Sequence, residues 1–269
     1  MKKLYFMLLT LFILVTSVQI TTAEAAAPDS TWLNTSKLAE GVIGIQYEVP
    51  ANKRTKLMIT KDNSSYTYNL FTSNQTEAFP LQQGNGSYKV SVLENTTGNK
   101  YKIVYSEDVN LSLTNNNVVY LNSVQNIKWN SSDKAIQKAQ QLTQGLTKDE
   151  DKVKAIYNYI VNNVQYDYTL AGSVATDYIP NIDNTITNKK GICYDYSSLF
   201  AAMLRSVDIP AKLVMGNTSY VTQYHAWNEV LLNGKWVTID TTVDAGLIKN
   251  KKTVELIKSS NKYTSAKFY

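Results

Sequence analysis

The stretch that most restricts the fold is His225-Ala226-Trp227-Asn228-Glu229-Val230-Leu231-Leu232, followed by Asn233-Gly234 and then Lys235-Trp236-Val237-Thr238-Ile239-Asp240. Asn-Gly readily takes the two left-handed conformations of a tight hairpin turn, so the runs on either side pair antiparallel. With a two-residue turn, Leu232 faces Lys235, Trp227 faces Asp240 and His225 faces Thr242. Strand alternation then puts His225, Trp227, Asp240 and Thr242 on one face. His225 and Asp240 become diagonal neighbours, about 7–8 Å between backbones and within side-chain reach. A carboxylate in that place holds one imidazole nitrogen and sets its tautomer.

His225 is the only histidine in the 269 residues, and Cys193 is the only cysteine. One Cys excludes a disulfide framework within the chain, and one Cys with one His excludes a Cys/His structural zinc site of four ligands. Gly191-Ile192-Cys193 precedes an apolar stripe, Leu199, Phe200, Met203, Leu204 and Val207, at helical spacing. Cys193 therefore lies at or near a helix N-terminus, where unpaired amides and the macrodipole favour a thiolate. Cys193, His225 and Asp240 supply a nucleophile, a base and a group to orient the base. Sequence spacing does not bring Cys193 to His225; the fold must. Thiol redox work lacks a resolving cysteine.

The chain has two kinds of sequence pattern. Residues 42–48, 56–60, 65–70, 87–92 and 100–105 alternate apolar and polar at period two, with turn residues such as Lys61-Asp62-Asn63 and Gly84-Asn85-Gly86 between them. This predicts a small β-sandwich over 26–120, read as a packing or spacer domain. From 121 to 269 helices enter. One runs from Ser131-Ser132-Asp133 to near Gly145. A second follows Thr147-Lys148-Asp149-Glu150, a capping-box pattern, and buries Val153, Ile156, Tyr157, Ile160, Val161 and Val164. Residues 165–190 read as a long irregular stretch, a candidate lid over Cys193. The expected class is thus α+β, with a β-sandwich preceding a helical and antiparallel-sheet domain.

Lys2-Lys3, the apolar run Leu4 to Val15 and Ala23-Glu24-Ala25 have the three parts of a secretory signal peptide, cut after Ala25. The run is too short for the roughly 20 residues that span a bilayer. The expectation is an exported protein with no membrane span, secreted or held at the cell surface. A net charge of +5 with only two arginines, Arg54 and Arg205, gives no nucleic-acid footprint. The lysine-rich tail (Lys249, Lys251, Lys252, Lys258, Lys262 and Lys267) reads as a solvated face.

Residues 190–242 resemble the core of the transglutaminase-like superfamily, which shares a papain-like cysteine-enzyme fold. The resemblance rests on Gly191-Ile192-Cys193-Tyr194-Asp195-Tyr196, Leu204-Arg205-Ser206-Val207-Asp208-Ile209-Pro210-Ala211, His225-Ala226-Trp227-Asn228-Glu229-Val230 and Trp236-Val237-Thr238-Ile239-Asp240-Thr241-Thr242, in that order. It implies a nucleophile at Cys193, a base at His225 and an orienting carboxylate at Asp240. It also implies oxyanion donors from the Cys193 amide and an upstream aromatic, for which Tyr166 is the candidate. Where the family usually has Pro after the Asp, this chain has Thr241. The implied activity is acyl transfer through a thioester, as a peptidase or amidase on a protein or peptide substrate, cell-wall peptide included. The alternatives are a protein-crosslinking transglutaminase and a non-catalytic wall-binding scaffold. No metal or other cofactor is expected.

Overall fold

The computed structural model describes residues 32–71 and 75–269. The expected signal peptide, residues 1–25, lies outside them. The described residues combine helices with antiparallel sheets, behind a strand-rich N-terminal region.

That region holds two sheets. Strands β1 (Leu33–Asn34), β2 (Val42–Ile45) and β5 (Glu77–Pro80) form one, in the order β1-β2-β5. Strands β3 (Thr55–Lys61), β4 (Ser64–Leu70), β6 (Gly86–Asn95) and β7 (Tyr101–Leu111) form the other, in the order β4-β3-β6-β7. The period-two pattern decides which face packs. Leu57 pairs with Tyr68 and Val92, and Ile59 with Tyr66 and Val90, and all six side chains are buried. Val42, Ile43, Ile45 and Phe79 of the smaller sheet join the same hydrophobic cluster. The Tyr68 and Phe79 rings meet edge-on across the sheets at 4.9 Å. The short strands β1 and β5 have too few residues to show alternation in sequence.

A 3₁₀ turn at Asn116–Leu121 leads into the helices: α1 (Lys134–Thr143), α2 (Asp149–Asn163), α3 (Tyr168–Ser173), α4 (Ile182–Asn188), α5 (Cys193–Arg205) and α6 (Thr241–Lys249). A short parallel pair, β8 (Gln165–Tyr166) and β9 (Lys190–Gly191), closes the segment before α5. Strands β10 (Ala211–Thr218), β11 (Val221–Leu232), β12 (Lys235–Ile239) and β13 (Tyr263–Phe268) form an antiparallel sheet in the order β12-β11-β10-β13.

Helix α5 is the centre of this half. Every residue from Asp195 to Arg205 is buried, so the apolar stripe is only part of its packing surface. α5 packs against β10 and β11 on one side and against α1, α2, α4 and α6 on others. Two polar ties set its position. Asn228 of β11 donates from Nδ2 to the Ser197 carbonyl at 2.9 Å. Buried Arg205 donates to the carbonyls of Ala211, Asn122 and Tyr269 at 2.9, 2.6 and 3.0 Å, binding the helix end to the C-terminus.

Three local expectations change in the folded chain. The Thr147–Glu150 capping box does not form: α2 starts at Asp149 behind Lys148, without a side-chain cap. Glu150 instead accepts from Asn233 in the hairpin turn, a tertiary contact that competes with the local one. Residues 165–190 are not irregular, since they contain α3, α4 and two short strands. Asn and Asp side chains start both helices, with Asp167 accepting from Thr169 and Leu170 amides and Asn181 from the Asn184 amide. Lys258 departs from the solvated tail: it is buried and pairs with Asp244 at 2.6 Å.

Candidate active site

The hairpin has the register that Asn233-Gly234 implies as far as Asn228 and Ile239, but the expected Trp227–Asp240 and His225–Thr242 pairs do not form, because α6 starts at Thr241. Leu232 pairs with Lys235 and Asn228 with Ile239, and both turn residues have positive φ, +50° and +73°. The chain leaves the sheet at Asp240, which becomes the N-cap of α6 and accepts from the Val243 amide on Oδ1 at 3.0 Å. Its Oδ2 lies 2.9 Å from His225 Nε2. Both side chains are buried. This contact occupies Nε2, leaving Nδ1 as the ring nitrogen free for a further partner.

Cys193 is the first residue of α5, behind Ile192 as N-cap. Asp195 accepts from the Ile192 amide at 2.8 Å on one oxygen and from the Tyr178 hydroxyl at 2.6 Å on the other. Burial raises the Asp195 pKa, and these two bonds oppose the rise. Gly191 is required here by close approach: a Cβ on it would stand 2.6 Å from Asp195 Cβ. Asp195 thus does more than balance the helix dipole, because it holds the turn that presents Cys193.

Cys193 and His225 line one cleft of about 530 Å³. Burial works to lower the imidazole pKa. The hydrogen bond to Asp240 and then the Cys193 sulfur outweigh it, and the His225 pKa is raised to about 9. The fold therefore sets His225 against Asp240 and in one cleft with Cys193. Tyr166, from β8, lines the same cleft. Burial, and next the neighbouring Cys193, raise its pKa, so it remains a neutral hydroxyl donor.

Two sets of residues escaped the sequence reading. Tyr263 of β13 donates its hydroxyl to Asp240 Oδ2 at 3.0 Å, and its ring packs on Trp227 at 5.0 Å. Trp227 in turn stacks on His225 at 6.4 Å and 19°. No local pattern flags Tyr263, because only the pairing of Thr218 with Tyr263 between β10 and β13 brings it in. The second set is Tyr168, Tyr220 and Tyr224, which line the cleft. Part of the 165–190 segment, α3, therefore forms a wall beside Cys193, while α4 packs against α1 and α5.

This fold and this cleft define a class. Residues 136–241 match the model of the transglutaminase-like superfamily, and that segment belongs to the superfamily. The chain is 29% identical to the kyphoscoliosis peptidase of Homo sapiens over 110 residues, which is 37% of this chain and 16% of that protein. It is 29% identical to the kyphoscoliosis peptidase of Mus musculus over 117 residues, 40% of this chain and 18% of that one. The chain thus spans less than a fifth of the length of these curated relatives. Among solved structures, the periplasmic domain of TgpA from Pseudomonas aeruginosa aligns at TM-score 0.40 and 14% identity, covering 76% of this chain and 69% of that one.

Proposed function

We propose that this chain is an exported cysteine-dependent acyl-transfer enzyme that hydrolyses peptide or side-chain amides. The observation that carries this reading is geometric: buried His225 lies 2.9 Å from Asp240 and shares one cleft with Cys193, the first residue of a buried helix. A charged imidazole beside the thiol favours the thiolate form of the nucleophile.

In the proposed reaction Cys193 Sγ, as thiolate, attacks the amide carbonyl carbon. The carbonyl π electrons move onto oxygen. The Cys193 amide, which has no partner in the first helical turn, and the Tyr166 hydroxyl hold that oxyanion. Collapse breaks the C–N bond, and His225 gives its proton to the departing amine, leaving a thioester. His225, now neutral, takes a proton from water. The resulting hydroxide attacks the thioester, and the thiolate leaves as the acid is released. Asp240 keeps the ring oriented and stabilises its charge throughout.

The N-terminal β-sandwich, residues 26–120, is proposed as an accessory to the catalytic part, residues 121–269. A leader at residues 1–25 would direct export. The peptidase names of the two curated relatives agree with hydrolysis.

The test is alkylation of Cys193 by iodoacetamide from pH 4 to 9, in the natural protein and in His225→Ala. Labelling well below the free-thiol pKa of about 8.5, shifted upward in the variant, is expected. Ordinary thiol titration in both proteins would defeat the reading. Release of acid or of an amine conjugate from a peptide amide, with and without an added primary amine, then separates hydrolysis from crosslinking. Wall binding retained in Cys193→Ala, with no thiol activation in the natural protein, would favour a scaffold.

A further inference from the structure

Among the described residues, seven large apolar side chains stand exposed, and three of them, Tyr168, Tyr220 and Tyr224, line the one cleft that holds Cys193 and His225. Tyr168 is 79% exposed, although it sits within a structured helix. Uncovered rings gathered at one place mark a surface that something else covers. They come from separate elements. Tyr168 opens α3, Tyr220 lies between β10 and β11, and Tyr224 immediately precedes His225. α6 supplies the floor with Val243 and Leu247.

The charge distribution says what covers it. The chain has 49 Lys, Arg, Asp and Glu side chains by composition, yet none lines this cleft; apart from its tyrosines, its ionisable groups are Cys193 and His225. A carboxylate entering there would lose water, meet no basic side chain other than the imidazolium already held by Asp240, and face the negative π-faces of the rings. An apolar or aromatic side chain would gain area and edge-to-face contacts. A sugar ring can also stack on tyrosine. A saccharide needs many hydrogen bonds, however, and beyond the tyrosine hydroxyls this lining offers only Gln223, Thr242 and Asn250 as neutral polar side chains.

We infer that the cleft is an acyl-donor subsite that takes an uncharged, apolar or aromatic peptide side chain next to the attacked carbonyl, and rejects an acidic one. The inference rests on the proposed cysteine chemistry and adds the substrate class to it. Tyr168 of α3 and Tyr224 of β11 are its specificity residues.

The experiment uses the full chain and chloroacetamide-capped dipeptides that differ in one residue, Phe, Leu, Lys or Glu. The readout is the second-order rate of alkylation at Cys193, measured by intact mass. Plain iodoacetamide serves as the reference. The Phe and Leu probes are expected to label at least about tenfold faster than the Glu probe, the scale of discrimination that an apolar pocket provides. Tyr168→Ala with Tyr224→Ala is expected to remove most of that ratio. Ile103→Ala, on exposed β7 away from the cleft, is expected to leave it unchanged. Equal rates for the Phe and Glu probes, with iodoacetamide still reacting at low pH, would overturn this inference alone. An unactivated Cys193 would overturn the cysteine reading, and the inference with it. A glycosylated probe that labels faster than its unmodified parent would replace the apolar side chain by a saccharide.

Discussion

Tyr263 and His225 share a single oxygen: the Asp240 Oδ2 atom accepts the Tyr263 hydroxyl at 3.0 Å and faces His225 Nε2 at 2.9 Å. The carboxylate is fully buried, and its second oxygen is taken by the Val243 amide. Its orientation and its basicity toward His225 therefore both depend on a strand near the end of the chain.

Tyr263→Phe removes one donor and leaves Asp240 a stronger acceptor for the imidazolium. The alkaline limit of Cys193 reactivity is expected to move to higher pH. A lost hydrogen bond worth about 1 kcal/mol would lower kcat about fivefold, with a smaller change in KM. A pH–rate series on the variant checks this. A fall in Tm with an unmoved profile would reduce Tyr263 to a packing role.

His225 makes both reactivity and stability depend on pH. Its folded pKa is raised from 6.5 to about 9. The stability it contributes is fully present below pH 6.5 and is lost as pH rises through about 9. Turnover is expected to fall over the same upper limb, since a neutral imidazole has no proton for the leaving amine. Thermal unfolding of the natural protein and of His225→Gln, from pH 5 to 10, checks the sign. The decline with alkaline pH should flatten in the variant.

Lys258 and Asp244 form an ion pair at 2.6 Å in which both side chains are nearly or fully buried. Tyr157 also donates to Asp244 at 2.7 Å. Lys258→Met strands a carboxylate and is expected to cost about 3–5 kcal/mol in urea unfolding. The double variant Asp244→Asn, Lys258→Met should recover most of that loss. Equal instability of the single and double variants would argue against an uncompensated charge as the cause.

Thr241 stands at the first position of α6, where a proline fits because that amide has no intrahelical partner. Its hydroxyl is buried and unbonded. Thr241→Pro is expected to keep activity and to raise stability by about 0.5–1 kcal/mol, through a stiffer unfolded chain. Differential scanning calorimetry alongside the labelling assay checks both.

Gly216 pairs with His225 across β10 and β11 and with Ser265 across β10 and β13. A Cβ there would stand 2.0 Å from the Thr264 carbonyl oxygen. Gly216→Ala must push β13 away, and Tyr263 with it. It is expected to lower Tm and to shift the pH profile in the direction of Tyr263→Phe.

Local interactions made much of this legible from the amino-acid order alone. The Asn233-Gly234 turn sets the hairpin register, which brings the end of β12 to Asn228, three residues from His225. Glycine and helical spacing place Cys193 at a helix start, and the Val153 to Val164 stripe buries one face of α2. Each of these depends on contacts within a few residues or across one tight turn, where backbone geometry leaves few choices. The family resemblance implied the roles of Cys193, His225 and Asp240; the fold pairs His225 with Asp240 and puts Cys193 in the same cleft as His225.

The tertiary structure alone decided the rest. Packing of α5 beneath β11, tied by Asn228 to the Ser197 carbonyl, closes the gap between Cys193 and His225. Pairing of β13 with β10 delivers Tyr263 to Asp240, and Asn233 draws Glu150 away from the cap it suits locally. Lys258 is indistinguishable in sequence from its solvated neighbours, and it is buried because Asp244 is. Such contacts join segments tens of residues apart. Their partners are chosen by which surfaces the packed helices and sheets leave facing each other, a property that no local stretch of the chain carries.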